Sequence, residues 1–368
     1  MSEDKKLLEN LFVLELANNH WGSFERGLDI VSQFSKVVRY NNIKAAIKLQ
    51  FRDVDSFIHP NHKDHESRYI QKTLATKLSK KEFETLVEAI KDSGCLPMAT
   101  PFDEKSVDFC GELELPVIKI ASSDIADWPL MERVAQLEKP VMISNGGASE
   151  KDTDDVVKFF KNRNIELGIN HCVSLYPSED SELELNQIDY LKNRYPDHII
   201  GLSSHEYHDW FSSMLISYGK GARTWERHID IEYPEGDKRS VSKYCSLPEQ
   251  IDTWFKAFKK AEEMCGSSSK DSKRIITEKE TKYLDELVRG VYAKHDISEG
   301  YTFNKESFDK DFFMSVPLQK GQLSCREILN GEKLTTDIKA SEPLMINDID
   351  HPYEEDSDFV NNIKDRGL

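Results

Sequence analysis

The sequence predicts an α/β fold: a (β/α)8 TIM barrel followed by a small β-rich domain. Three observations lead there. Eight short apolar runs fall between residues 12 and 229, and most are separated by polar stretches with helical periodicity, the pattern of parallel βα units. The runs are apolar nearly throughout instead of alternating, as expected of strands covered on both faces. Past the last run the pattern breaks into short strand-like pieces with turn residues between them. An open doubly wound sheet built from the same units is the alternative.

Taken in order, the strand-like runs are FVLELA (12–17), AAIKLQ (45–50), LPMATPF (96–102), VIKIAS (117–122), PVMISN (140–145), LGINHCV (167–173), HIIGLSS (198–204) and RTWERHI (223–229). KKEFETLVEAIKDSG and EKDTDDVVKFFKNRN, two of the intervening stretches, repeat apolar residues at helical spacing. QIDTWFKAFKKAEEMCG reads as a long amphipathic helix that ends a catalytic barrel domain at residues 1–265. The Ser-rich GSSSKDSKR opens a linker, 266–284. Residues 285–350 carry VRGVYAKHDI and KLTTDIK with the turns SEG and NGE, and read as the small β-rich domain. HPYEEDSDFVNNIKDRGL, 351–368, is expected to be a loose acidic tail.

Composition narrows the function. An apolar fraction of 38 % is enough for a core, and a net charge of −17 speaks against nucleic-acid or anionic-membrane partners. The same charge means that an anionic substrate needs a locally basic pocket. The six cysteines include no CxxC pair, which fits reduced thiols. MSEDKKLLEN lacks the apolar core of a signal peptide, and no apolar run approaches the roughly 20 residues of a membrane span. A soluble, cytoplasmic protein is expected.

In a barrel the chemistry gathers at the C-terminal ends of the strands. Those ends carry Glu15; Lys48 and Gln50; Thr100; Lys119 and Ser122; Ser144; Ser174 and Tyr176; Ser203 and His205; Glu226 and His228. Polar groups in apolar strands cost free energy unless paired, so their recurrence at one end marks a site. Lys48 and Lys119, with Thr100, Ser122 and Ser144, offer two point charges and three hydroxyls suited to a phosphate or carboxylate. Adjacent strands lie about 4.8 Å apart, so His205 and His228 can converge on one divalent cation, with positions left open for substrate or water. The plainer reading of that pair is two hydrogen-bonding loop histidines. His20 and His171 read more readily as structural residues.

ELANNHWGS, IKLQ, ATPFD, IKIASSD, ISNGG, HCVSLYP, GLSSH and ERH, in this order and spacing, resemble the sialic acid synthase family of N-acetylneuraminate, legionaminic and pseudaminic acid synthases. IKLQ and the ELxxNH opening lean toward the pseudaminic acid type. The C-terminal part resembles the family's antifreeze-like (SAF) domain. The resemblance spans roughly residues 10–350. It implies a transferase that condenses phosphoenolpyruvate with the aldehyde of an N-acylated hexosamine and releases phosphate. It implies a Mn²⁺ or Mg²⁺ ion on His205 and His228, and a proton- or water-handling role for Glu15. Lys48, Thr100, Lys119, Ser122, Ser144, Ser174, Tyr176 and Ser203 match phosphoenolpyruvate positions, and Gln50 and Asp237 match sugar positions. It further implies a domain-swapped homodimer, each SAF domain closing the partner's barrel. Three departures stand out: Trp21 in NHWG, Ser204 where an aspartate is common, and Val316 where the SAF domain has an arginine. Two alternatives are a condensing enzyme that takes a different aldose for surface polysaccharide synthesis and a non-catalytic sugar-binding homologue.

Overall fold

The computed structural model describes residues 2–266, 273–350 and 356–368. Eight parallel strands close on themselves: β1 Leu11–Ala17, β2 Ala45–Phe51, β3 Leu96–Pro101, β4 Val117–Ile120, β5 Val141–Ser144, β6 Leu167–Cys172, β7 Ile199–Ser203 and β8 Thr224–Ile229. Each pairs with the next, and β8 returns to β1 with Glu15 opposite His228. The expected barrel is the one observed, and each strand overlaps its apolar run. A short strand, β9 Cys245–Ser246, extends the β8 ladder beyond the barrel.

Nearly every strand residue is buried, yet successive residues enter two different cores. Phe12, Leu14 and Leu16 of β1 pack outward on the helices, while Leu11 and Val13 face an interior cluster with Ala46, Met98, Val117 and Met142. This is the period of two expected of a strand, hidden because both faces are covered. Continued upward, the same alternation carries Glu15, Lys48, Thr100, Lys119, Ser144 and Glu226 into the barrel interior above the apolar plug.

The helices begin where the sequence supplies caps. Ser79 and Glu82 form a capping box at the start of Lys80–Asp92, and Ser149 and Asp152 form one at Glu150–Lys161. Helix Pro248–Cys265 sets Trp254, Phe255 and Phe258 around Phe12 of β1, with ring centroids 4.9–5.1 Å apart.

The chain divides into two compact units, Met1–Ser268 and Ser269–Leu368. Within the second, Gly290–Ala293 pairs antiparallel with Phe312–Ser315, and Lys333–Leu334 with Ile349–Asp350. Val291, Phe303, Leu334, Leu344 and Ile346 form its core. Two expectations need correction here. The segment assigned to a linker contains helix Glu278–Asp285, capped by Thr277, while 267–272 lie outside the described residues. The segment assigned to a loose tail contains helix Ser357–Asp365, whose Ile363 is buried in that core, while 351–355 lie outside the described residues. Arg366 then ion-pairs with Glu327 at 2.8 Å. A net acidic composition concealed one apolar stripe, Phe359 and Ile363, spaced four apart on a single helical face.

Candidate active site

A cavity of about 860 Å³ opens at the C-terminal mouth of the barrel. Every residue assigned a site role from sequence lines it, except Asp237. Asp237 lies in the loop beyond β8, where Arg239 binds it at 2.7 Å and holds its carboxyl down at about 2. It was placed by resemblance in a stretch whose local sequence diverges, and this loop turns the side chain to a neighbour instead. His20 and His171 do not line the cavity: His20 Nδ1 accepts from the Gly22 amide at 3.1 Å, and His171 Nε2 donates to the Leu183 carbonyl at 2.8 Å.

The floor is a buried cluster of four charges. Lys48 ion-pairs with Glu15 and lies 3.1 Å from Glu226, and it donates to Thr100 Oγ1 at 2.9 Å. Lys119 donates to Ser144 Oγ at 2.8 Å and to the Ile120 carbonyl at 3.0 Å, with Glu226 at 3.9 Å. Register brings these strangers in sequence together, because Glu15 sits opposite Lys48 and Ser203 opposite Glu226. The two carboxyls are driven apart. Burial raises Glu15 and Glu226 adds to that, outweighing Lys48, so Glu15 lies above the usual carboxylate range. Burial also acts upward on Glu226, but Lys119 and Lys48 overcome it, so Glu226 lies below that range. Such a split separates a proton-exchanging carboxyl from a standing anion.

Beside the floor, His205 and His228 face one another with ring centroids 5.5 Å apart. His205 Nδ1 contacts the Val173 carbonyl at 3.0 Å. A carbonyl only accepts, so Nδ1 carries the proton and Nε2 keeps its lone pair. His228 Nδ1 is buried with no hydrogen-bond partner. Burial holds His205 at about 4 and pushes His228 well below its ordinary value, so both rings are neutral near pH 7. Tyr176 leans on His205 with centroids 3.9 Å apart, and Tyr244 meets His228 edge-on at 5.2 Å. Two neutral imidazoles make a donor pair for a divalent cation. No group of three or more His, Cys, Asp or Glu side chains completes such a site among the described residues, so its other ligands would be water or substrate.

Behind the histidines, the residue after His205 and the residue before His228 lock the two strand ends. Arg227 binds Glu206 at 2.5 Å, both 1 % exposed, and reaches Ser246 Oγ at 3.1 Å. Opposite, the Ser122 hydroxyl accepts from the Gly146 amide at 3.0 Å. A methyl on Gly146 would sit 2.3 Å from Ser174 Oγ, so only glycine lets these hydroxyls converge.

Sequence reasoning gave no role to Glu226, Tyr244, Arg52, Arg68 or Lys72, all of which line the cavity. Glu226 was within reach, because it lies two residues before His228 and shares its face. The helix Arg68–Ala75, inserted in the long connection after β2, carries no local signal that it borders the mouth.

Residues 41–270 match the sequence profile of the NeuB family. A crystal structure of a Chromobacterium violaceum protein named for spore coat polysaccharide biosynthesis (protein E) is 33 % identical, covers 93 % of this chain and 100 % of its own, and superposes with a TM-score of 0.85. The N-acetylneuraminate-9-phosphate synthase of Drosophila melanogaster is 24 % identical over 94 % of this chain and 97 % of that protein. A pseudaminic acid synthase of Campylobacter jejuni is 27 % identical over 83 % of this chain and 86 % of that protein.

Proposed function

The chain belongs to the NeuB family, the family of the sialic acid synthases, and on that premise we propose that it condenses phosphoenolpyruvate with the aldehyde of an N-acylated hexosamine. The product is a sialic-acid-like 2-keto-3-deoxy acid, and phosphate is released. One observation carries this reading: a lysine–hydroxyl cradle and a neutral histidine pair share a single barrel mouth.

The enol C3 attacks the aldehyde carbon, water adds to C2, and the C2–O bond to phosphate breaks. Lys119, Lys48 and the hydroxyls of Thr100, Ser122, Ser144, Ser174 and Ser203 bind the carboxylate and phosphate in a buried cleft, where fixed dipoles act with little screening. Tyr176 walls that cradle beside His205. Gln50 orients the acceptor. Glu15, with its raised carboxyl beside Lys48, holds or passes the proton at the adding water, while Glu226 stays ionised and fixes both lysines. His205 and His228 would hold a divalent cation, Mn²⁺ suiting two imidazoles better than Mg²⁺, and it would supply Lewis acidity at the aldehyde oxygen. The resemblance also supports a homodimer in which the small C-terminal unit, of SAF type, covers the partner's barrel mouth, and a cytoplasmic enzyme.

Incubating the full chain with phosphoenolpyruvate, Mn²⁺ and a panel of 2-acetamido and 2,4-diacetamido hexoses, with products identified by mass, tests the reaction. A nine-carbon keto acid is expected, and absence of any condensation product across the panel refutes the reading. Calorimetric titration should show Mn²⁺ binding to the wild type and none to His205→Ala; undiminished binding in the variant would remove the histidines from the metal site. Gly146→Ala is expected to raise KM for phosphoenolpyruvate about tenfold by splaying Ser122 and Ser174, a loss of about 1.4 kcal/mol. An unchanged KM would take those hydroxyls out of the cradle.

A further inference from the structure

The ladder that closes the barrel, β8 against β1, ends at the pair His228 and Glu15. His228 is also the ring that has to face His205. The two rings are held differently. His205 has a tie of its own, Nδ1 on the Val173 carbonyl at 3.0 Å, whereas His228 Nδ1 has no hydrogen-bond partner. The direction of the His228 ring therefore depends on its backbone and on the aromatic rings packed against it. Toward β7, the Arg227–Glu206 pair fixes that backbone. Toward β1 the ladder has run out, so a second tie is needed there.

Arg26, in the first turn of helix Phe24–Asn41, stands at that gap. Its Nη2 meets Asp230 Oδ1 at 2.6 Å and donates to the Ile231 carbonyl at 2.7 Å, and its Nε donates to the Asn19 carbonyl at 2.9 Å. The guanidinium also lies 3.8 Å over the Tyr233 ring. Asp230 is two residues past His228, and Asn19 is four past Glu15, so one planar fork grips both sides of the seam. Asn19 extends the grip: its side-chain amide donates to the Ile229 carbonyl at 2.8 Å and reaches Cys245 Sγ at 3.4 Å, and Cys245 is the β9 partner of His228. The Arg26 and Asp230 side chains are only 11 % and 2 % exposed, so their attraction is little screened, unlike that of a surface pair.

We infer that Arg26 is a positioning residue for His228: it clasps the β8–β1 seam above the last ladder pair and so holds that ring toward His205. The inference rests on the reading of the two histidines as cation donors. Arg26 touches neither ring, and it acts through the backbone at Ile229, Asp230 and Ile231. Partners that orient a metal-binding histidine without touching the ion still set its affinity, by about 10–100-fold when removed.

The test is calorimetric titration of the full chain with Mn²⁺, well below each variant's Tm. Arg26→Met is expected to raise the Mn²⁺ Kd by at least about tenfold. KM for phosphoenolpyruvate, measured at saturating Mn²⁺, should change less than about threefold. Arg26→Lys keeps a charge for Asp230 but lacks the fork that also reaches Asn19, so it should recover only part of the affinity. Arg194→Met, which breaks an ion pair with Asp154 on the outer helices, is the control for general destabilisation and should bind Mn²⁺ as the wild type does. Unchanged Mn²⁺ affinity in Arg26→Met overturns the clasp. So does an equal loss in Arg194→Met, because loosening of the fold then explains both. Should Arg26→Met fail to fold, Arg26→Lys decides in its place: weakened Mn²⁺ binding supports the clasp and wild-type binding overturns it. A wild type that binds no Mn²⁺ counts against the metal reading, and the clasp is then decided by the imidazole resonances of ring-labelled histidine, with the His228 signal assigned from His228→Gln. Movement of that signal in the Arg26 variant, with the His205 signal in place, supports the clasp; a stationary His228 signal overturns it.

Discussion

Lys119→Met is expected to cut kcat/KM by about 10²–10³-fold, the cost of removing a preorganised donor from developing or bound negative charge in a dry site. Methionine fills nearly the same volume, so packing is preserved and the lost property is the charge. Lys119 is 2 % exposed, and its ammonium is held by Ser144 Oγ at 2.8 Å and the Ile120 carbonyl at 3.0 Å. Burial presses it toward neutrality and Glu226 pulls it back, so a dianion arriving at Ser144 would complete its partners. Thermal denaturation gives an independent readout. Phosphoenolpyruvate should stabilise the wild type by mass action, by about 2.7 kcal/mol at a hundred times Kd, and so raise its Tm, and leave the Tm of the variant where it was. A variant stabilised as strongly as the wild type would mean that the anion does not sit on Lys119.

Glu206→Ala is expected to be the most destabilising of these substitutions, at about 3–5 kcal/mol, because it leaves the Arg227 guanidinium buried without its carboxylate. For a unit of this size that corresponds to a fall in Tm of about 10 °C. Arg227 would keep the Glu206 carbonyl and Ser246 but lose its charge partner, and Ser213, which donates to Glu206 at 2.5 Å, would lose an acceptor. The paired replacement Glu206→Leu/Arg227→Met should recover most of that loss, since two apolar residues of similar volume avoid burying any charge. The pair follows His205 and joins the strand bearing His228, so the double variant should regain stability without regaining Mn²⁺ affinity if the ion pair positions the rings. Chemical denaturation of the three variants decides it, and a Glu206→Ala cost below about 1 kcal/mol would refute the account of this pair.

Much of the site was legible because strands impose a period of two and barrels place their chemistry at one end. Lys48 between Ile47 and Leu49, and Lys119 between Ile118 and Ile120, could only face the interior once their neighbours faced the helices. Glu226, given no role, was within reach of the same rule applied to His228. Asp237 did not, because a loop beyond a strand end has no period and its nearest partner, Arg239, lies two residues away. The helix at 357–365 escaped for a related reason: it follows the acidic run at 354–356, while its two core contacts make sense only against a surface built by residues before them.

By itself the sequence determined the βα alternation, the eight strands, and which polar side chains end them, since these follow from local periodicity and from the free-energy cost of placing polar groups in apolar runs. Only the tertiary structure decided who meets whom: that Glu15 and Glu226 flank one lysine and acquire opposite proton affinities, and that Arg52, Arg68 and Lys72 line the same cavity as they do. The reason is that burial and Coulomb energy depend on distance in space and on exclusion of water, and strand register and barrel closure set both across separations such as the 211 residues from Glu15 to Glu226.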